Sequence, residues 1–588
     1  MKKRMSLLLV IMLFAISVLA ACSGGKTDEP KKGEEAGQET PKTEEGKDKE
    51  EAPAAEGEDQ SQGYFEATDP SKNPTTATSR KDTLIIGMTS PKGVFNPFYW
   101  QTAYDRYVVD AVFDAWLVLT DDGTYENRLA EKIEVSEDKK KYTFTLKQGV
   151  KYTDGTPVTV KDYAFALKVL HDSSYDGQSD IHTVNIKGGK EYFEGTANEI
   201  SGVKIIDDYN IEIEVTEPNA MTKDNLGTIY FFPESYYGKE YKQGHLEYMK
   251  DLHAKPIGSG QYSVKSFKPG QEVVFEANPD YFLGAPKVKN IIYKTTTDET
   301  RLAMFKSGEI DVDMVSVNAD SVEELKSYGF LDVNIFPTNG YGYIALNHKD
   351  PKFQDQKVRQ ALVYGLNRAE IVEIIYGEYG NVINIPQSSL SWAYTQDGIE
   401  TYDFDTEKAK QLLDEAGWVP GADGIREKDG VKLAINFSAT ADNPVVEALI
   451  PVMTQNYQEL GIKLSSETLD FNAIMDKKDN GDFDMFFAAW GLTPDPDSTV
   501  YLTGGAQNDI GFSNKEVDKY NKEGLAAMEL DARKEAYKKM YQELNKDIPD
   551  ILVYQRRDMW GINSRVKNLN ITPYKNVALD LYKVELEQ

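Results

Sequence analysis

Residues 288–315, VKNIIYKTTTDETRLAMFKSGEIDVDMV, read as strand, short helix and strand in immediate succession. Val288–Tyr293 is short, β-branched and flanked by Pro286 and a polar loop, which suits a buried strand. Asp298 stands where a helix N-cap belongs, and Glu299 in the first turn suits the positive end of that helix. Leu302, Ala303, Phe305 and Lys306 then lead to Gly308, a residue able to take the left-handed conformation that closes a helix. Ile310–Val315 follows as a second strand. This is the pattern of a βαβ unit, whose crossover is right-handed as a rule. The pattern alone fits any α/β domain, so the rest of the chain decides which.

At 588 residues the chain is longer than one core serves, and two or three lobes are expected. An apolar content of 40% is enough to bury a large interior. The 35 tyrosines outnumber the 24 phenylalanines, and a side chain with an apolar face and a wet tip suits a water-lined cleft. A formal net charge of -30 argues against nucleic acid as a partner and against electrostatic adsorption to anionic lipid. The single cysteine, Cys22, rules out an intramolecular disulfide. Five histidines, none spaced with cysteine or acidic residues as a ligand set, give little support for a structural or catalytic zinc, and no metal or other cofactor is expected.

Residues 1–22 have the form of a targeting segment. Lys2, Lys3 and Arg4 precede an apolar run, Leu7–Ala20, that is short for a membrane span. Leu19-Ala20-Ala21-Cys22 resembles the lipobox of bacterial lipoproteins, which implies acylation at Cys22 and, with two or more acyl chains, stable attachment to the membrane. Residues 23–81 are Glu, Lys, Gly, Pro, Thr and Asp with hardly any large apolar side chain, and are expected to form a disordered acidic tether. Such a coil would hold the folded part roughly 40 Å from the membrane. Tyr64-Phe65 is an aromatic pair in this tether for which composition gives no account.

Thr83–Met88 reads as the first buried strand. The loop after it, PKGVFNPFYW at 91–100, sets aromatics among turn formers, as a ligand cleft would. Lys141–Leu146 and Asn210–Val215 alternate as strands, and Thr159 with Asp162 forms a capping-box start to a helix over 163–170. Beyond Val315 the texture is more helical. Helices are expected at 354–366, 368–376, 406–416, 444–460 and through 517–545, with strands at 432–438, 463–468, 550–555 and 561–563.

Five segments in order carry a family resemblance. LKQGVKYTDGTPVTVKD at 146–162, IGSGQY at 257–262, NPDYF at 278–282, KSGEID at 306–311 and VRQAL at 358–362 are similar to motifs of the oligopeptide-binding proteins of ABC importers. The resemblance covers roughly residues 82–588. It implies an α/β fold of the periplasmic-binding-protein-like type II, in the large three-domain form, with two lobes and an interlobe cleft. Domain I would combine 82–120, 257–315 and 546–588; domain II would be 121–256 and domain III 316–545, with chain crossings near Val315 and Lys546. Gly260, Gly308, Asp154 and Arg359 within these motifs are expected to hold turns, caps and packing rather than ligand.

The implied function is capture of oligopeptides in the cleft and delivery to the permease and ATPase of an ABC importer. The receptor would be a lipid-anchored monomer on the extracytoplasmic face of the cell membrane, of Gram-positive type, with no catalytic role. AAWGLTPDPD at 488–497 resembles the family's loop in which, in enteric members, an aspartate meets the free amino group of a peptide. Thr493 stands at that position here, so Asp495 or Asp497 takes the role or the amino terminus is not clamped. The plainer alternative is that both aspartates only cap the following turn. Trp490, Asp495 and Asp497, with Phe95, Asn96 and Trp100 from the aromatic loop and Tyr341 and Tyr343 from the YGY run, are the candidate ligand-binding residues.

Three other readings compete with peptide import. The same fold could serve a nickel chelate, haem or another conjugate, but His171, His182, His245, His253 and His348 do not cluster in the presumed cleft loops. A secreted hydrolase lacks support, since no G-x-S-x-G elbow or H-E-x-x-H run occurs. A receptor that senses peptides without transporting them would use the same bound state.

Overall fold

The computed structural model describes residues 62–587 apart from Asp442, Asp497 and Ser498. Cys22, the targeting segment, most of the tether and Asp497 therefore lie outside the described residues.

A mixed sheet of 13 strands forms the frame. In chain order its strands are β1 (Gly63–Phe65), β2 (Thr83–Met88), β3 (Tyr262–Lys268), β4 (Glu272–Ala277), β5 (Asn290–Thr295), β6 (Val312–Val315) and β7 (Leu331–Pro337). The rest are β8 (Gly340–Leu346), β9 (Gly380–Asn381), β10 (Ala434–Thr440), β11 (Lys463–Leu469), β12 (Met485–Gly491) and β13 (Asp550–Asn563). The main path runs β11-β10-β12-β8-β13-β6-β2-β5-β4-β3, while β7 joins β13 to β1 and β9 pairs with β13. Leu84 and Ile86 of β2 are fully buried, as suits a hydrophobic strand inside a sheet covered on both faces.

The expected βαβ unit is present and straddles β2. β5 and β6 both run parallel to β2, one on each side, and the helix Asp298–Ser307 connects them. Gly308 closes that helix at φ 73°. The cap differs from expectation: Thr297 is the N-cap, in a capping box with Thr300. Asp298 is drawn away to Arg301 and to the Ser316 hydroxyl at 3.1 Å. Asp311 is fully buried just before β6 and accepts from Arg565, Arg80 and the Ile85 amide, so it ties the C-terminal segment to β2.

An inserted region carries its own antiparallel sheet in the order 130–135, 141–146, 210–214, 203–205. Its helix Val160–Leu170 starts at the Thr159–Asp162 capping box. In its core Trp116 stacks on Phe144 and meets Tyr163 and Phe231 edge to face, and this core is continuous with that of the first lobe. Other motif residues hold architecture. Gly260 donates to the Val112 carbonyl at 2.7 Å, and a Cβ there would lie 2.4 Å from the Val112 carbonyl carbon. Asp154 accepts the Thr156 amide at 2.9 Å, and Arg359 donates to the carbonyls of Phe353 and Asp547.

The lobes share one strand. β13 pairs with β8 over its first half and with β6 and β7 over its second half. Sequence reading ends one strand at Gln555 and begins the next at Gly561, leaving the polar Arg556-Arg557-Asp558 between them. Those side chains find partners where the strand passes between lobes: Gln555 donates to the Thr338 carbonyl at 2.9 Å and Thr338 donates to Asp558 at 2.8 Å. The second passage is Thr338-Asn339, between β7 and β8. Sheet pairing thus changes partner at these points, and β7 (within 316–337) pairs with the half of β13 that also pairs with β6.

The composition-based tether extends to Lys81, but residues from 62 onward are built into the fold. β1 adds an antiparallel strand to β7, with Gly63 opposite Ile335 and Phe65 opposite Val333. The Tyr64 hydroxyl donates to Asp332 at 2.8 Å, and the Lys326 ammonium lies 3.3 Å above the Phe65 ring. Arg80 completes the strap by donating to the Gly308 carbonyl at 2.7 Å and to Asp311 at 2.9 Å. The aromatic pair supplies the apolar surface and polar handles that its neighbours lack.

Candidate functional site

The two lobes touch along a rim. Lys92 of the aromatic loop donates to Asp476 at 2.8 Å, and Gln101 just after that loop to Asp479 at 3.4 Å, both on the helix Phe471–Asn480. Tyr104 meets Phe471 edge to face at 6.4 Å. On the inserted region, the Ala220 amide donates to the Leu525 carbonyl at 2.9 Å, and near the C-terminus the Tyr574 hydroxyl donates to the Leu390 carbonyl at 3.1 Å. Each contact joins the first lobe or its insertion to the second, so the lobes are closed on one another.

Within this rim, the loop after β12 lies against the hairpin that carries Tyr125, where a Cβ at Gly123 would sit 3.3 Å from Pro494. The Tyr125 phenol lies in the fields of Asp224, Arg106 and Asp495, and burial, with Asp224 adding, pushes its pKa up to about 12. Arg106 and Asp224 come from the first lobe and its insertion, and Asp495 from the loop after β12. Arg533 holds Asp495 with both guanidinium nitrogens, one at 2.8 Å, and itself lies over the Trp392 ring at 4.7 Å. Burial raises the Asp495 carboxyl above its ordinary value even though Arg533 opposes the shift. A carboxylate held in this two-pronged way has little capacity left for a ligand ammonium.

The other expected site residues separate into two groups. Trp490 is half-buried at the end of β12, its ring parallel to that of Tyr343 at 6.2 Å between centroids. Trp100 is half-buried beneath the Arg106 guanidinium at 5.2 Å. Tyr341 and Tyr343 are buried in the second-lobe core, and the Tyr341 and Tyr501 hydroxyls meet at 3.1 Å. Tyr501 in turn donates to Asp550 at 3.0 Å. Phe95 is fully buried edge-on to Phe267 at 5.0 Å. Asn96 is fully buried too, its carbonyl oxygen accepting the Phe98 amide at 3.0 Å while its amide nitrogen has no hydrogen-bond partner. Arg106, Tyr125, Asp224, Trp392 and Arg533 carry no sequence signal. Asp495 and Arg533 pair across 38 residues, which no local pattern announces.

The histidines stand apart from this space. His171 and His182 meet ring to ring at 5.4 Å inside the inserted region, a pairing that spacing alone does not reveal. Burial pulls His171, His253 and His348 down to about 4, so they are neutral at pH 7. Among the described residues, no group of three or more His, Cys, Asp and Glu side chains is placed to hold a metal ion.

Two lobes that share one strand and close over a polar, aromatic-lined space define a solute receptor with the periplasmic-binding-protein-like fold. The family model described as bacterial extracellular solute-binding proteins, family 5 Middle, matches residues 124–511, and the chain belongs to this family. The chain is similar to the oligopeptide-binding protein AppA of Bacillus subtilis, at 27% identity over 513 residues, covering 85% of this chain and 90% of that protein. The structure of that AppA in complex with a nonapeptide matches with a TM-score of 0.80 at 25% identity, over 87% of this chain and 99% of the other. The fold is also that of lactococcal OppA complexed with an endogenous peptide in the closed conformation, with a TM-score of 0.78 at 21% identity, over 85% and 99% of the two chains.

Proposed function

We propose that this protein captures oligopeptides between its lobes and delivers them to the permease and ATPase of an ABC importer. The observation that carries the reading is the match, over nearly the whole of the other chain, to an AppA whose structure holds a nonapeptide. The geometry agrees with it. A peptide enclosed between lobes must exchange backbone hydrogen bonds with water for bonds with the cleft, and a closed rim with polar walls supplies the setting for that exchange. No step of this function makes or breaks a covalent bond.

The same reading places the protein on the extracytoplasmic face of the membrane as a lipid-anchored monomer, acylated at Cys22. Its support is the LAAC sequence at 19–22 behind a basic and apolar leader. Radiolabelled palmitate should enter the wild-type chain, and Cys22→Ser should block labelling and release the protein from the membrane fraction.

Calorimetry with a mixed peptide library tests capture directly, once co-purified ligand has been removed by unfolding and refolding. Heat of binding from the library is expected. A refolded, monomeric protein that binds no peptide, or that carries haem or a metal chelate by native mass spectrometry, overturns the reading.

A further inference from the structure

Arg106 is a cation of the interlobe space that the fold uses only in part. It projects from the helix Ala103–Val112, one turn after the aromatic loop. Its Nε lies 3.5 Å from Asp110 Oδ2, at the outer limit of hydrogen bonding, and has no hydrogen-bond partner. Asp110 is already engaged, since it accepts the Tyr230 hydroxyl at 2.5 Å and the Asn576 amide at 2.7 Å. The Arg106 side chain is 41% exposed while that of Asp110 is 1% exposed. Its surroundings reach the second lobe, since Tyr104 on the same helix meets Phe471 at 6.4 Å and Gln101, next to Trp100, donates to Asp479 at 3.4 Å. Asp495, a carboxylate of the other lobe, is taken by Arg533.

A guanidinium in this position is built for a carboxylate. Its donors form a fixed fork that matches two carboxylate oxygens. The Trp100 ring beneath it, at 5.2 Å, holds the plane of the fork and shields one face from water. We infer, resting on the peptide-capture reading, that Arg106 recognises a ligand carboxylate, either the C-terminus of the peptide or an acidic side chain. The closed rim makes this selective, since a carboxylate brought into the space without a cation would be left desolvated and unpaired. Arg106 thereby sets ligand charge preference in a protein whose net charge of -30 would otherwise disfavour acidic peptides.

The test uses the mature protein, refolded free of ligand, and three synthetic pentapeptides: penta-alanine with a free C-terminus, the same peptide as its C-terminal amide, and Ala-Ala-Glu-Ala-Ala amide. The wild type should bind at least one carboxylate-bearing peptide tenfold or more tightly than the neutral amide. Preference for the free acid assigns the terminal carboxylate, and preference for the glutamyl amide assigns a side chain. In Arg106→Gln that affinity ratio should fall to near one, and in Arg106→Lys, which keeps the charge without the fork, it should be intermediate. Melting curves matching the wild type establish that both variants fold, and if Arg106→Gln does not fold the Lys variant decides alone. Equal binding of the three peptides by the wild type, or an undiminished ratio in the folded variants, overturns the proposal while leaving peptide capture intact. Failure of all three peptides and of the mixed library to bind overturns both.

Discussion

Arg533 grips both carboxylate oxygens of Asp495 while stacking over Trp392 at 4.7 Å, so the acid nearest the expected amino-terminal clamp is already neutralised from within its own lobe. Thr493, at the clamp position itself, donates its hydroxyl to the Asp495 carbonyl at 2.6 Å and so fixes the loop. A ligand ammonium would have to displace an internal arginine to reach Asp495.

Removing that arginine should therefore change both stability and ligand choice. In Arg533→Gln, Asp495 is left mostly buried without its cation, and a loss of about 2–4 kcal/mol is expected by chemical denaturation. The freed carboxylate should favour peptides with an unblocked amino terminus over N-acetylated ones, relative to the wild type. Unchanged discrimination between the two in a folded variant would show that Asp495 does not face the ligand.

Asp550 gives a pH signature. Burial pushes its carboxyl up to about 7, only partly offset by the hydrogen bond from Tyr501. Its folded pKa thus lies above its unfolded value, so the native state binds the extra proton and stability from this group falls as pH rises from about 4 to about 7. Asp550→Asn removes the dependence. Between pH 5 and pH 8 the variant should gain about 2–3 kcal/mol relative to the wild type. Parallel stability profiles for the two proteins would rule this out.

Trp490 offers an optical readout. Of the six tryptophans, Trp116, Trp418 and Trp560 are buried in cores, while Trp100, Trp392 and Trp490 are half-buried around the interlobe space. Peptide binding should change the emission, and Trp490→Phe should reduce that change by more than a third. A ligand response of full amplitude in the variant would place Trp490 away from the bound peptide.

The strap can be tested by truncation. A chain beginning at Gln62 retains β1, the Tyr64–Asp332 bond and the Arg80–Asp311 pair, whereas one beginning at Asp82 loses all three. Asp311 is fully buried, and loss of one of its two arginines is costly. The shorter chain should melt several degrees below the longer one, and equal melting temperatures would show that the strap is stabilising nothing.

Much of the frame was legible because it rests on local rules. The Gly308 stop, the Thr159–Asp162 box and the βαβ unit are each set by residues a few positions apart. What escaped depends on distant partners. β13 looked broken because its polar middle has meaning only against Thr338, and the strap looked disordered because Tyr64 is satisfied only by Asp332. Tyr341 and Tyr343 were expected as cleft walls, yet every residue of β8 is buried, because this strand lies between β12 and β13 and neither face is left to solvent. Phe95 likewise turned inward to pack on Phe267, as loop aromatics commonly do. The site's charged members, Arg106 and Arg533, are single residues without a pattern.

The strap also has a mechanical meaning. Residues 62–81 attach to β7, Asp332, Gly308 and Asp311, all on the first-lobe side of the shared strand. A pull applied to the chain at residue 62 therefore enters the frame through β7 and the buried Asp311.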